Sequence, residues 1–311
     1  MSKNSGCLKI VRSSDPQEAP RRRSSATPHK GAFEDEGLMA VFQQPVWRLI
    51  EDEPHSGAEN MAIDEALLRS FDPAASPPVL RLYGWQPPAL SLGRFQKAAE
   101  VLDLERCRAA GVAIVRRFTG GGVIYHADEV TYALVCSPEQ IPPASSIKDS
   151  FRVLTGFLIT LYRDLGLEAS YALDTVSSDV RLGERTAFCF AGKESFDILV
   201  RGRKIGGNAQ RRQKGIIFQH GSLPLVNRAA TGLSFMKDRE PGLADDAASL
   251  EQCGIPVDYG LIRRKLLDAF RKSLAVELSP QPLTEREHSL AGELLVGRYG
   301  SDRWNFEGVE P

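Results

Sequence analysis

Apolar residues recur along the chain with two periods, one typical of helices and the other of strands. Apolar positions three or four residues apart predict helices over 57–70, 147–165 and 259–274. Capping boxes, in which Ser or Thr is followed by Glu at the third position, open the first helix at Ser56 and a further helix at Thr284. Short apolar runs between Gly, Pro and polar residues predict strands at 46–50, 79–83, 89–92, 111–115, 131–135, 196–200, 204–205 and 216–218. The irregular alternation of strands and helices, with several hairpins, favours the α+β class.

The first 42 residues lack this periodicity. They are rich in Ser, Pro, Arg and Glu, so residues 1–42 are predicted to be a disordered tail. No linker divides the rest of the chain, which predicts one folded domain over 43–306 and a short C-terminal tail at 307–311. A length of 311 residues supplies ample core-forming material for such a domain.

Composition and charge narrow the range of functions. A net charge of -1 and a pI near 6.6 argue against broad binding to nucleic acid or to membrane surfaces. No apolar run reaches the ~18 residues that cross a bilayer, and the N-terminus has no apolar core for a signal peptide, so a cytoplasmic protein is expected. The five cysteines and five histidines show neither paired-cysteine motifs nor metal-ligand spacing, which predicts reduced thiols and no bound metal.

Three consecutive glycines are the strongest candidate for a ligand-binding element. Residues 120–122 lie between the predicted strands at 111–115 and 131–135, with Arg116–Arg117 before them and His126 after them. Because glycine adopts positive φ without steric cost and has no side chain, such a loop can present backbone N–H groups to an acyl carbonyl or a phosphate. A plain tight turn accepts glycine as well. The segment lacks the Lys-Ser/Thr of NTPase phosphate loops and the Gly-x-Gly-x-x-Gly spacing of dinucleotide-binding proteins.

Three further segments carry polar residues beside apolar runs. Residues 60–65, near the start of the first helix, are typical of helix capping and of a solvated helix face. Lys204 lies on a predicted strand before Gly206–Gly207, where a lysine either stabilises an oxyanion or a thiolate or extends into water. His220 follows an apolar strand, and both hydrogen-bonded packing and catalysis are open for it.

Five segments of the chain form an ordered set of motifs. They read Asn-Met-Ala-Ile-Asp-Glu-Ala-Leu-Leu at 60–68, Ser-Leu-Gly-Arg-Phe-Gln at 91–96, Arg-Arg-Phe-Thr-Gly-Gly-Gly-Val-Ile-Tyr-His at 116–126, Lys-Ile-Gly-Gly-Asn-Ala-Gln at 204–210 and Gln-His-Gly-Ser at 219–222. Together, over about residues 45–306, they resemble the superfamily of lipoate-protein ligase A, octanoyltransferases and biotin ligases. The resemblance implies a catalytic domain of that fold, with a central mixed, largely antiparallel sheet flanked by helices.

The resemblance also implies a set of site residues. It implies a tunnel for an eight-carbon acyl chain beside the glycine loop and the lysine strand. Lys204 matches the lysine that contacts the acyl carbonyl. The expected substrate-binding residues are Arg116, Gly120, Gly121, Gly122, His126, Gly207 and Ala209.

A cysteine discriminates between the chemistries of this superfamily, which are ATP-dependent lipoate ligation, octanoyl transfer from acyl carrier protein and lipoyl transfer between protein domains. The transferases pass the acyl group through a cysteine thioester. Cys189, fifteen positions before Lys204, resembles the cysteine loop of the octanoyltransferases of Gram-positive bacteria. The other octanoyltransferase type carries its cysteine directly before the His-Gly of a later strand, where this chain has Gln219. Taken without the resemblance, a cysteine of this kind favours a buried, inert thiol.

The resemblance therefore implies an octanoyltransferase without a cofactor, in which Cys189 and Lys204 are catalytic. The partners it implies are octanoyl-acyl carrier protein and a lipoyl-domain acceptor such as glycine cleavage H protein or 2-oxoacid dehydrogenase E2. Basic runs at 116–117, 201–204 and 211–214 suit such acidic partners, although each run alone is typical of a solvated face.

Two alternatives stay open. Gly122 stands where this transferase group more often has arginine, and Asn208 stands where serine is usual. These departures leave a lipoate ligase that uses ATP and Mg²⁺ as one alternative. A non-catalytic module that binds lipoate is the other.

Overall fold

The structure is a computed structural model, and it describes residues 45–144, 146–175, 194–239 and 244–310. The predicted tail at 1–42 and the candidate nucleophile Cys189 lie outside the described residues. Strands in the described chain are β1 (Val46–Glu51), β2 (Val79–Tyr83), β3 (Ala89–Leu92), β4 (Ala113–Arg116), β5 (Ile124–His126), β6 (Glu129–Cys136), β7 (Ala169–Tyr171), β8 (Ile198–Val200), β9 (Arg203–Lys204), β10 (Gly207–Gln213), β11 (Ile216–Pro224) and β12 (Glu277–Pro280). Helices are α1 (Gly57–Ser70), α2 (Ala98–Val101), α3 (Leu104–Ala109), α4 (Ile147–Asp164), α5 (Ala172–Thr175), α6 (Ala229–Ser234), α7 (Tyr259–Leu274) and α8 (Glu285–Leu294).

A six-stranded sheet with the strand order β10-β11-β6-β2-β1-β12 forms the centre of the described chain. The pairs from β10 to β2 are antiparallel, whereas β2 with β1 and β1 with β12 are parallel. Side chains alternate between the two faces of a strand, so Trp47 packs in the core under α4 and α7, and Ile50 packs in the core under α1 and α8. The predicted mixed, largely antiparallel sheet flanked by helices is confirmed.

The predicted helices are present, and their ends follow local capping chemistry. α1 begins after Ser56, whose hydroxyl accepts from the backbone N–H of Glu59, while the Glu59 carboxylate accepts from the backbone N–H of Ser56. Thr284 gives α8 the same reciprocal cap. α4 ends just before Gly166, whose φ of +78° favours glycine. Among the described residues, no helix combines the length and the apolar character needed to cross a membrane.

The glycine loop has different neighbours from those predicted. β4 and β5 do not pair with each other, because both pair with β3 in the order β4-β3-β5. The loop at 117–123 therefore crosses the end of β3, and the interpretation as a plain tight turn is wrong. The apolar run at 131–135 belongs to β6 in the central sheet. Local periodicity missed β5 because three residues are too few to show a period.

The candidate lysine lies in a third, smaller sheet. β8 and β9 form the predicted antiparallel hairpin, whose turn residues Arg201 and Gly202 both have positive φ, and β7 pairs with β8. β10 follows directly and was not predicted, because its sequence Gly-Asn-Ala-Gln-Arg-Arg-Gln lacks apolar alternation. This strand is the edge of the central sheet, where fewer side chains need to be buried. β10 thus brings a row of polar side chains next to the lysine hairpin.

Candidate active site

The glycine loop, the lysine hairpin and the edge strand β10 surround a cavity of about 820 Å³. Five of the predicted site residues line it: Gly120, Gly121, Gly122, Lys204 and Ala209. Apolar side chains supply much of the remaining wall, namely Phe95, Ile147, Phe151 and Phe196. Apolar walls with a few convergent polar groups suit a ligand that has an apolar chain and one polar end.

A narrow slot of about 30 Å³ shares Gly120, Gly121 and Ala209 with this cavity. The predicted residues His126 and Gly207 line the slot. The slot lies between the glycine loop and the start of β10. The structure therefore brings together the predicted residues of two separate sequence motifs, 116–126 and 204–210.

Arg116 occupies a different place. It is not among the residues that line either cavity. Its buried guanidinium donates to the backbone oxygens of two chain segments, those of Gly93, Arg94 and Gln96 and those of Trp304, Asn305 and Phe306. Arg117 is buried as well, with 2% exposure. Arg116 and Arg117 therefore do not form the basic surface that their sequence suggested. Arg116 instead connects the C-terminal segment to the loop after β3 through hydrogen bonds.

Arg117 fixes the orientation of the glycine loop. Its guanidinium donates to the carbonyl oxygens of Gly120, at 3.1 Å, and Gly122, at 2.9 Å. In a trans peptide the N–H points away from the preceding carbonyl, so the N–H groups of Gly121 and Val123 face away from Arg117. The loop thus directs its carbonyls to a cation of its own chain and keeps these donors on the opposite side.

Two glycines allow the close approach between the loop and the end of β3. Gly121 has a φ of +99°, which side-chain-bearing residues rarely adopt. A Cβ placed on Gly93 would lie 1.9 Å from the carbonyl oxygen of Gly121. The backbone of residue 93 fixes the position of this Cβ, and the oxygen belongs to the backbone of Gly121, so such an overlap could be relieved only by moving the backbone. The position of the loop therefore depends on glycine at 93 as well as within the loop.

His126 is held between a carboxylate and a hydroxyl group. Its Nδ1 lies 2.8 Å from Glu129 Oε1, its Nε2 lies 2.6 Å from Ser91 Oγ, and its ring stacks on Trp85 at 3.8 Å. Burial opposes ionisation of Glu129, but the nearby His126 and several hydrogen bonds outweigh it and lower the pKa of Glu129. The additional donors are the hydroxyls of Thr131 and Ser222. Glu129 is therefore ionised at neutral pH and fixes the imidazole at the slot wall.

The polar residues at the start of α1 are buried, so the prediction of a solvated face is wrong. Asp64 accepts hydrogen bonds from Arg81 Nη1 at 2.7 Å and from the Tyr83 hydroxyl at 2.9 Å. The side-chain oxygen of Asn60 accepts from Arg81 Nη2 at 2.9 Å. The compensating cation comes from β2, which the pattern of α1 alone does not reveal. These residues form a satisfied polar network behind the glycine loop.

His220 connects this network to the glycine loop. Its Nε2 lies 2.7 Å from Thr119 Oγ1, and its Nδ1 lies 3.5 Å from Asp64 Oδ2. Burial lowers the pKa of His220, and the contact with Asp64 opposes that shift only in part. A neutral imidazole is therefore expected at pH 7. Of the two interpretations that the sequence left open, the geometry favours hydrogen-bonded packing, although His220 also lines the slot.

Lys204 is buried and ion-paired and does not extend into water. Its Nζ lies 2.7 Å from Asp197 Oδ2, and the two side chains are 2% and 7% exposed. Asp197 also accepts from the backbone N–H of Glu194 at 2.7 Å. Sequence reasoning missed Asp197, although an acidic residue directly before the apolar run 198–200 was an available signal.

Comparison with known proteins gives one consistent family. Residues 56–271 match the lipoyl protein ligase A/B catalytic domain. The chain is 37% identical to octanoyltransferase LipM of Kyrpidia tusciae, over 84% of this chain and 98% of that protein. It is 31% identical to octanoyltransferase LipM of Bacillus subtilis, over 86% and 100%. Among solved structures, lipoate-protein ligase A bound with ATP matches with a TM-score of 0.72 at 27% identity, covering 84% of this chain and 99% of that one.

The chain therefore belongs to the lipoyl protein ligase A/B catalytic-domain family. This result confirms the resemblance that the five sequence motifs indicated. The two LipM relatives are octanoyltransferases, whereas the solved structure is a ligase. The shared fold is thus compatible with both chemistries.

Proposed function

We propose that this chain is an octanoyltransferase of protein lipoylation, which moves an octanoyl group from acyl carrier protein to a lysine of a lipoyl domain. The observation that carries the proposal is the cavity in which the buried Lys204–Asp197 pair and the glycine loop face the same space. The cavity offers apolar walls for an acyl chain and a cation for its carbonyl end. Relatives named octanoyltransferase, at 31% and 37% identity, favour transfer as the chemistry.

Cys189 is the nucleophile in this proposal. Its thiolate sulfur attacks the thioester carbonyl of octanoyl-acyl carrier protein, a new bond forms between sulfur and the acyl carbon, and the carrier leaves as a thiolate that takes up a proton. The ε-amino nitrogen of the acceptor lysine then attacks the Cys189 thioester. The amide forms with loss of a proton from nitrogen, and the Cys189 thiolate is released. Neither step consumes a nucleotide, so the transferase needs no cofactor.

The sequence separation between Cys189 and the cavity wall is short. Cys189 precedes Glu194 by five positions, and Glu194 lines the cavity. Five fully extended residues span at most about 18 Å. This reach supports the assignment of Cys189, in addition to the resemblance of its sequence position.

Lys204 acts in both steps of the proposed reaction. Its cation lowers the pKa of a nearby thiol and stabilises the oxyanion of each tetrahedral intermediate. Paired with Asp197, it also passes protons to the leaving carrier thiolate and takes them from the attacking amine. Backbone N–H groups of Gly120–Gly122 assist at the carbonyl, and His126 borders the acyl pocket.

Cations around the cavity suit acidic protein partners. Lys148 and Arg212 line it, and Arg201 and Lys214 are exposed on the neighbouring turns. We therefore propose octanoyl-acyl carrier protein as the donor, with glycine cleavage H protein or a 2-oxoacid dehydrogenase E2 as the acceptor. A bipartite lipoate protein ligase of Thermoplasma acidophilum, studied with its E2 lipoyl domain, matches this chain with a TM-score of 0.69 at 25% identity.

Lipoate ligation is the second candidate function. The structural match to an ATP-bound lipoate-protein ligase A favours it, as does the glycine at position 122. A ligase activates lipoate with ATP and Mg²⁺ and needs no thioester at Cys189.

Intact-mass measurement after incubation with octanoyl-acyl carrier protein, without ATP, separates the two functions. The transferase is expected to gain one octanoyl group, and the Cys189→Ala variant is expected to gain none. Cys253→Ala, which alters a buried cysteine outside both cavities, is the matched control and is expected to retain the adduct. Lipoylation of an acceptor domain that requires ATP and Mg²⁺ and survives Cys189→Ala would instead establish a ligase. Binding of lipoate without any acceptor modification would establish a binding module.

A further inference from the structure

A directional chain of hydrogen bonds ends at Asn208 on the cavity wall. The side-chain nitrogen of Gln219 donates to the Leu154 carbonyl at 3.2 Å, which fixes the orientation of that amide. The same nitrogen donates to the Tyr132 hydroxyl at 3.1 Å. The Gln219 side-chain oxygen accepts from Gln210 at 3.0 Å, which agrees with this orientation. The donors are therefore directed one way from Gln219, whose amide is anchored on the backbone of α4, through Tyr132 to Asn208 on the edge strand β10.

This polarity decides how Asn208 presents its amide. Because the Tyr132 hydroxyl accepts from Gln219, its own proton is directed to Asn208 Oδ1, at 2.7 Å. Burial raises the pKa of Tyr132, so the phenol remains protonated at neutral pH. The oxygen and nitrogen of a primary amide lie on opposite sides of its carbon. With Oδ1 held by Tyr132, the Nδ2 group of Asn208 points away from Tyr132 as a donor.

The residues around Asn208 place its side chain at the wall of both cavities and leave space for it. Asn208 lines both the main cavity and the slot, together with Gly120, Gly121 and Ala209. Its cross-strand neighbour is Gly221, where a Cβ would lie 2.1 Å from Asn208 Oδ1 and 2.5 Å from the Tyr132 ring. Glycine at this position leaves room for the pair of side chains.

We propose that Asn208 binds the substrate directly, by donating a hydrogen bond from Nδ2 to the carbonyl oxygen of the bound acyl group. The inference rests on the proposed function, since it assumes that the cavity takes an acyl chain with its carbonyl near Lys204. Asn208 and the glycine loop then approach that carbonyl from different elements. Tyr132 and Gln219 set the direction of the donor and do not touch the substrate.

The test uses a probe that binds without reacting, the methyl ketone of the octanoyl chain with a ¹³C-labelled carbonyl. Isotope-edited infrared spectroscopy reports a hydrogen bond as a lower carbonyl stretching frequency. Wild-type protein is expected to lower this frequency, and Asn208→Ala is expected to raise it again and to weaken binding roughly three- to ten-fold, as for one lost hydrogen bond. Asn208→Asp, which replaces the donor by an acceptor, is expected to weaken binding further.

Two variants separate this role from a merely structural one. Tyr132→Phe keeps the aromatic ring but frees the Asn208 amide to rotate, so the carbonyl band is expected to move towards that of Asn208→Ala. Gln213→Ala, on the same strand but outside both cavities, is expected to leave the band unchanged. An identical carbonyl frequency in wild type, Asn208→Ala and Asn208→Asp would overturn the proposal. Failure of the proposed function would appear separately, as absence of the Cys189 acyl adduct.

Discussion

The structure has two groups of buried charged side chains near the glycine loop and the cavity. The two groups differ in how their charges are compensated. The loop-side network is defined as Asn60, Asp64, Arg81, Tyr83 and His220. In it, Asp64 has donors on both carboxylate oxygens, and Arg81 has a second carboxylate partner, Asp52, at 2.7 Å. The lysine pair, defined as Lys204 and Asp197, lies in the cavity wall itself.

This difference indicates that the loop-side network and the lysine pair have different roles. A polar network whose members are satisfied by their own chain stabilises one arrangement and offers little to a ligand. An ion pair at a cavity wall can exchange part of its interaction for an interaction with a reacting group. We therefore expect changes in the loop-side network to reduce stability more than chemistry, and changes in the lysine pair to reduce chemistry most.

The largest effect is expected from Lys204→Met. Loss of the cation and of its proton transfer should lower octanoyl transfer by roughly 10²- to 10⁴-fold, measured as the rate of acceptor modification. The variant also leaves Asp197 buried without its cation, so its stability should fall. The double variant Lys204→Met/Asp197→Asn removes that charge and should recover stability but not activity. Recovery of activity in the double variant would contradict a chemical role for Lys204.

Asp64→Asn is expected to act mainly on stability. The change removes one of the two carboxylates that pair with Arg81, which is fully buried, and should lower the free energy of unfolding by about 1–3 kcal/mol in denaturant titrations. Tyr83→Phe removes a single hydrogen bond to Asp64 and should cost about 1 kcal/mol. A fall in transfer rate as large as that of Lys204→Met, with normal stability, would show that the two regions do not divide their roles as proposed.

Gly93→Ala tests whether the loop position matters apart from its chemistry. The added methyl group would overlap the Gly121 carbonyl oxygen and should cost about 1–3 kcal/mol of stability as the loop shifts. Ketone binding should weaken in parallel, because the loop forms part of the cavity wall. Gly156→Ala is the control, since a Cβ at that site in α4 would have no atom within 4 Å other than those of its own helix turn. Unchanged binding in Gly93→Ala would mean that the loop tolerates displacement.

The smallest effect concerns acid stability. The folded-state pKa of Glu129 lies below its ordinary value of 4.5, so its contribution to stability is present above that value and is lost as pH falls through the lowered pKa. Glu129→Gln should therefore reduce the loss of unfolding free energy between pH 7 and acid. Glu51→Gln, on an exposed side chain of β1, is the matched control. An equal acid response in wild type and Glu129→Gln would exclude this linkage.

Much of the fold was predictable because local patterns decide local structure. The apolar stripe of α4 and the reciprocal caps of α1 and α8 each depend on residues a few positions apart. Short or polar strands such as β5 and β10 were missed, since three residues show no period and an edge strand needs few apolar side chains. Their positions follow from neighbouring strands and not from their own sequences.

The candidate site was predictable in part for a similar reason. Glycine runs and ordered motifs are visible along the chain, so Gly120–Gly122 and Lys204 could be identified without the cavity. The sequence alone could not assign different roles to the adjacent cations Arg116 and Arg117. Arg116 binds two backbone segments and does not line the cavity, while Arg117 orients the glycine loop. Asp197 was missed because its position before the apolar run 198–200 does not by itself show that Lys204 is its partner.

The amino-acid sequence was sufficient to predict the helices α1, α4, α7 and α8 and the order of the five motifs, and these motifs indicated the family and the candidate nucleophile Cys189. It could not show which charges are paired, which carbonyls Arg116 and Arg117 hold, or which way the Asn208 amide faces, and these follow from the packed structure. Hydrophobic periodicity depends on which face of a single helix or strand packs against the core, so it can be recognised in the sequence. The partner of a buried polar group comes from another strand or helix, so its identity is fixed only when those elements pack together.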